Sequence, residues 1–175
     1  AFDPARDMAL LLEAARGLSG GVALVVLDPV VSAIAGDSHK NAEVRRGMQP
    51  VADLASSLDC ALVGITHLSK GTQGREPVER VTGSLAFGAV ARVVMLATKN
   101  AEADDGSRLL VRAKSNIGPD GDGIAYRLVQ EPLANRPHIS ATAVQWGAVV
   151  LGDARSLVGE AEPDRSEEHT SELQS

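Results

Sequence analysis

A carboxylate, an imidazole and a guanidinium each stand beside a short apolar run in this sequence. Asp28 closes the run from Val22 to Leu27, Thr66 and His67 close the run from Cys60 to Ile65, and Arg92 opens the run from Val93 to Ala97. A rigid apolar segment that ends in Asp presents one carboxylate at a fixed point, which is what the water shell of a nucleotide-bound magnesium ion needs. In an open parallel sheet, ligands sit beyond the carboxyl ends of the strands. Asp28, Thr66–His67 and the polar residues around Lys99 fall at such ends. Between the second and third runs, residues 69–81 carry Lys70, Gly71, Gly74, Arg75 and Arg80, a loop too polar for a core and able to meet phosphates. Lys114 and Asn116 follow a later strand. Taken singly each has an ordinary reading: Asp-Pro makes turns, a histidine can end a strand with its hydrogen bonds satisfied, and loop cations are commonly solvated.

The elements that must hold these groups alternate in kind. Met8, Leu11, Leu12, Ala15 and Leu18 recur at helical spacing, which predicts a helix over 4–17 that stops at Gly20–Gly21. The runs at 22–27 and 60–65 are too short for helices and read as strands buried on both faces. Val44, Met48, Val51, Leu54, Ala55 and Leu58 share one face of a helix over 41–58, in which Gly47 and Pro50 kink the chain without ending it, because the stripe stays in phase. A short helix follows at 83–90, a third buried strand at 93–97, and an alternating strand at 108–114. Further strands are expected at 124–130 and, more weakly, at 142–146. Strands joined by helices early and by hairpins late imply an α/β fold, a parallel sheet with helices on both faces extended by antiparallel strands.

Composition bounds the rest. At 175 residues the chain has room for one domain, and 44% hydrophobic against 23% charged residues can fill a core. Aromatics are 2% (Phe2, Phe87, Tyr126 and Trp146), so that core must be aliphatic. The net charge of −6 excludes a generally basic nucleic-acid coat. A single cysteine, Cys60, excludes a disulfide framework and suits a reducing, cytoplasmic compartment. No apolar run reaches the ~20 residues of a membrane span. The segment Arg165–Ser175 shares no pattern with the rest and resembles the translation of a short-read sequencing adapter. Its one Arg against three Glu carries −2, leaving −4 of the −6 elsewhere. The expected organisation is one domain over 1–150, a tail over 151–164, and a non-native tail over 165–175.

The order of these pieces resembles the RecA-fold ATPases of the plasmid RepA-type hexameric helicase family, also described as AAA-type or primase–helicase associated. The resemblance runs from about Phe2 to Trp146. It rests on Asp28, the string Thr66-His67-Leu68-Ser69-Lys70, the basic loop, Gly83-Ser84-Leu85-Ala86, Arg92, and Ala113-Lys114-Ser115-Asn116-Ile117-Gly118. It implies ATP and Mg2+ as cofactors, a homo-oligomeric ring, single-stranded DNA as partner, and no membrane. By resemblance Asp28 is the Walker B aspartate, His67 the sensor of the γ-phosphate, and Lys70 to Val81, with Lys70, Arg75 and Arg80, the channel loop. Arg92 would be the arginine finger, and Lys114 and Asn116 an interface element. An arginine supplied by a neighbouring subunit is worth roughly 10³–10⁵ in rate in related enzymes and makes hydrolysis depend on assembly. Two departures stand out. The loop has no aromatic for base stacking, and no Gly-x-x-x-x-Gly-Lys-[Ser/Thr] occurs anywhere. The chain opens Ala1-Phe2-Asp3-Pro4 without Met, so it is expected to be the C-terminal portion of a longer ATPase, incomplete at its N-terminus and inactive alone. Competing readings are a RadA- or KaiC-like ATPase, a RecA-like assembly module without catalysis, and a small metal-dependent hydrolase with His39 or Asp37 as a third ligand.

Overall fold

The computed structural model describes residues 4–34, 40–69, 72, 75–80, 85–100 and 103–158. Helix α1 (Pro4–Arg16) leads into strand β1 (Leu24–Leu27), a 3-10 turn at Val30–Ala33, helix α2 (Asn41–Leu58) and strand β2 (Ala61–Gly64). A second 3-10 turn (Pro77–Arg80) precedes helix α3 (Leu85–Val90). Four strands follow, β3 (Val93–Lys99), β4 (Arg108–Ser115), β5 (Gly123–Leu133) and β6 (Arg136–Val150), and helix α4 (Ala154–Val158) closes the described chain.

Helix α2 shows why the chain folds this way locally. Val44, Met48, Val51 and Leu54 are its buried residues, at spacings of four, three and three. Pro50 lies inside without ending it, as the in-phase stripe requires. Gly47 is there for close approach: a Cβ on it would lie 2.8 Å from Ile34 Cδ1 and 3.2 Å from the Ala33 oxygen. The helix ends at Asp59 in the left-handed conformation, with the Cys60 N–H donating to the Ala55 oxygen at 3.0 Å. Val44 and Met48 pack with Val30, Ala86 and Phe87, joining the turn after β1 to α2 and α3. α1 packs against α2.

Two sheets form among the described residues. β1 and β2 pair in parallel, and β3-β4-β5-β6 is antiparallel in that order. One face of the antiparallel sheet is covered: Val94, Leu96, Leu109 and Val111 are buried with Val158 of α4, and Leu68, Ala91, Ala125 and Val150 pack on them. Asp153 seats α4 by accepting from the Ser156 N–H at 2.9 Å and the Ser156 hydroxyl at 2.5 Å.

Three expectations are corrected. The strand at 93–97 does not extend the parallel pair; it runs 93–99 and pairs antiparallel with β4, Leu96 opposite Val111. β1 and β2 are not buried on both faces: one face is half-buried, and on the other Leu24, Val26, Val63 and Ile65 are 44–52% exposed. Helices on both faces are therefore not found among the described residues. The last two strands are much longer than 124–130 and 142–146, pairing from Gly123↔Val150 to Leu133↔Arg136. Periodicity identifies a strand but not which other strand it pairs with, and β3 takes the next strand in sequence instead of β1 or β2.

Candidate functional site

The parallel pair sets the level at which the polar groups emerge. Leu24, Val25, Val26 and Leu27 stand opposite Ala61, Leu62, Val63 and Gly64. The register continues past the strands, because the Ile65 N–H donates to the Leu27 oxygen and the Val30 N–H to the Ile65 oxygen, both at 2.8 Å. Asp28 and Thr66–His67 therefore leave the same end of adjacent strands, which lie ~4.8 Å apart. The Asp28 and His67 side chains are both exposed. Gly64 makes room for the turn that carries Asp28: a Cβ there would come within 2.9 Å of Val30 Cγ2. The Asp28–Pro29 peptide is cis.

Arg92, Lys114 and Asn116 form a second group, at the junction of α3, β3 and β4. The Asn116 N–H donates to the Arg92 oxygen at 2.8 Å, and the Arg92 side chain is exposed. The Lys114 ammonium donates to the carbonyls of Gly88 at 2.8 Å and Ala91 at 2.9 Å, closing the C-terminal end of α3. A cation belongs there, where the last helical carbonyls lack partners. No strand pairing links this group to Asp28 among the described residues. The connection runs instead through α3, whose Ala86 and Phe87 pack on Val30 just beyond Asp28.

The basic loop is only partly described. Lys70 lies outside the described residues. Arg75 is exposed, its N–H donating to the Thr72 oxygen at 3.2 Å, while the Thr72 hydroxyl donates to the Ser69 oxygen at 2.6 Å. Arg80 departs from the surface cation expected of it. It is 7% exposed, and its Nε has no partner among the described residues. The loop's far end is tied to α4 by an ion pair between Glu76 and Arg155 at 2.9 Å.

The donor set at the Asp28 rim is one carboxylate, one hydroxyl and one imidazole. That suits a hydrated magnesium ion, which keeps several waters and takes one or two carboxylates beside substrate phosphates. Among the described residues no three His, Cys, Asp or Glu side chains gather as a metal cage. His39 and Asp37, the third ligands a hydrolase would need, lie outside the described residues.

The strongest electrostatic perturbation lies away from this rim. Asp105 titrates at about 2, held down first by hydrogen bonds from Ser107 and then by the Arg127 guanidinium. Asp153 is lowered by its Ser156 hydrogen bonds. The sequence pattern does not single out one further feature: Tyr126 and Trp146 stand side by side across β5 and β6, ring centroids 5.7 Å apart and planes tilted at 55°. Their being the chain's only Tyr and only Trp was the available signal.

Among the described residues no helix is long and apolar enough to cross a membrane. No curated protein matches this chain. The AAA domain family model matches residues 2–73, from before α1 through β2 and into the basic loop, with Asp28 and His67 inside it; the match supports an AAA-type, P-loop-ATPase-like family and ATPase-type chemistry in general.

Proposed function

We propose that this chain is part of an ATP-dependent ring helicase or DNA-replication ATPase of the RepA-like type, coupling hydrolysis to movement on single-stranded DNA. The observation that carries the reading is the common level of Asp28 and His67 at the carboxyl ends of β1 and β2, inside the matched segment. Bound magnesium–ATP would supply the phosphoryl group and the negative charge to be stabilised. Asp28 holds the hydrated cation, and His67 responds to the terminal phosphate and passes that state to the loop beginning at Ser69. Arg92, exposed at the start of β3, reaches the site of a neighbouring subunit in the ring. Lys114 positions it by fixing the end of α3 two residues before it. Arg75, with Lys70, meets the phosphates of the single strand.

The phosphate cradle is not encoded in these 175 residues. The chain alone is accordingly expected to release no phosphate from ATP, and turnover by it would overturn the reading. In a longer protein that carries this chain, Asp28→Asn and Arg92→Ala are each expected to lower kcat by 10² or more. Mixing the two inactive variants should restore part of the turnover, because an intact Asp28 site then meets an intact Arg92 from its neighbour. No recovery in mixed assemblies would remove Arg92 from that role.

A further inference from the structure

The covered face of the antiparallel sheet packs against α4; the opposite face is exposed over most of β5 and β6 and half-buried at Arg108, Leu110, Arg112 and Tyr126. Met95, Ile124, Leu128, Val144, Trp146 and Val149 on it are 37–65% exposed. The strand registers align one row across it, because Lys99 stands opposite Arg108, Arg108 opposite Tyr126, and Tyr126 opposite Trp146. Residues directly opposite on paired strands share a face. At ~4.8 Å per strand this row of two cations followed by two aromatic rings is about 14 Å long. Arg112 stands on the same face of β4, opposite Met95, and its buried Nε has no hydrogen-bond partner among the described residues.

The charge on this face is one-sided. By register, its positions on β3 to β6 hold Lys99, Arg108 and Arg112 and no Asp or Glu. Glu131 and the Asp105–Arg127 pair belong to the other face. A cationic face in a chain of net charge −6 is an accumulation that needs an anionic partner. The chain's only Tyr and only Trp sit beside it in ring contact. Cations for phosphates with adjacent aromatic faces for bases are the two components of sequence-tolerant single-strand binding. Two copies packed symmetrically through this face would instead set arginines against arginines.

We propose that the open face of β3–β6 is a single-stranded nucleic-acid site, with Lys99, Arg108 and Arg112 on phosphates and Tyr126 and Trp146 stacking on bases. It is separate from the loop at 69–81 and does not depend on the ATPase reading. It is tested on the 175-residue chain without ATP, by titration with the oligonucleotide (dT)15 read through Trp146 fluorescence. Saturable quenching is expected, and log K should fall with log salt at a slope of about −2 for three neutralised phosphates. With a fluorescein-labelled (dT)15 read by anisotropy, Trp146→Ala and Arg108→Ala should each bind about tenfold more weakly, while Trp146→Phe keeps most of the affinity. Trp146 is 59% exposed and Arg108 half-buried with no ion pair among the described residues, so circular dichroism should be unchanged. Equal affinity of Trp146→Ala and the parent would place binding elsewhere and overturn this site while leaving the loop assignment standing. A Trp146 blue shift that grows with protein concentration, without oligonucleotide, would show a protein partner on the face and overturn it too. Absence of quenching overturns it without touching the subunit-mixing test above.

Discussion

The Lys114 ammonium, which the family resemblance assigns to an interface element, is engaged with the carbonyls of Gly88 and Ala91. Lys114→Met keeps the stem but leaves those carbonyls unpaired, and should cost ~1–2 kcal/mol, read as a lower denaturant midpoint at constant m. A midpoint unchanged within error would show that water replaces the ammonium without loss. Asp105 offers a pH test of the same kind. Its folded pKa of about 2 lies below the ordinary 3.8, so its contacts stabilise the fold above about pH 4 and lose that contribution as pH falls toward 2. Carboxyl carbon NMR should show that low midpoint. Ser107→Ala, which removes the hydroxyl hydrogen bond that is the largest single cause, should raise it, and Arg127→Ala should raise it as well. A midpoint near 3.8 in the parent would contradict the hydrogen-bond geometry.

At the scale of elements, the turn carrying Asp28 depends on a missing side chain. A strand normally gains from Gly→Ala, yet at Gly64 the new methyl would meet Val30 at 2.9 Å. Gly64→Ala is expected to destabilise by about 1–3 kcal/mol, and Val30→Ala in the same chain should recover part of that loss. Strict additivity of the two changes would refute the contact. Helix α2 was legible to its ends, Asn41 and Leu58, because Val44, Met48, Val51 and Leu54 hold phase through Gly47 and Pro50. The hairpin of β5 and β6 was legible only in part. The expected strand stops at 130, yet β5 runs on to Leu133 with Pro132 opposite Ser140. Beyond Tyr126, β5 has no pairing with β4, so a proline there has a free edge on which to lack its N–H.

At the scale of the whole molecule, two buried clusters are joined through α3. One gathers Val30, Val44 and Phe87; the other gathers Leu96, Leu109, Val111 and Val158. The β5–β6 ribbon past Tyr126 belongs to neither, which sets an order of local stability. Hydrogen exchange should be slowest at Leu109 and Val111 and fastest, within the strands, across 128–133 and 136–142. Uniform protection along β5 would mean that something covers the ribbon. The same scale explains which site residues meet. Asp28 and His67 are brought level by one strand register, whereas Arg92 begins a strand of the other sheet and is joined to them by packing, of α3 on Val30 and of Leu68 on the antiparallel sheet.

By itself the sequence determined the kinds and approximate limits of the elements, the aliphatic core, and the positions of polar groups at strand ends, because these follow from local periodicity and side-chain chemistry. Tertiary structure alone decided that β3 turns to β4, that Arg80 is buried, that Lys114 closes a helix, and that a cationic, aromatic sheet face stays open. Each of those depends on which element comes to lie alongside, and no local pattern of side chains specifies which strand, carbonyl or helix that will be.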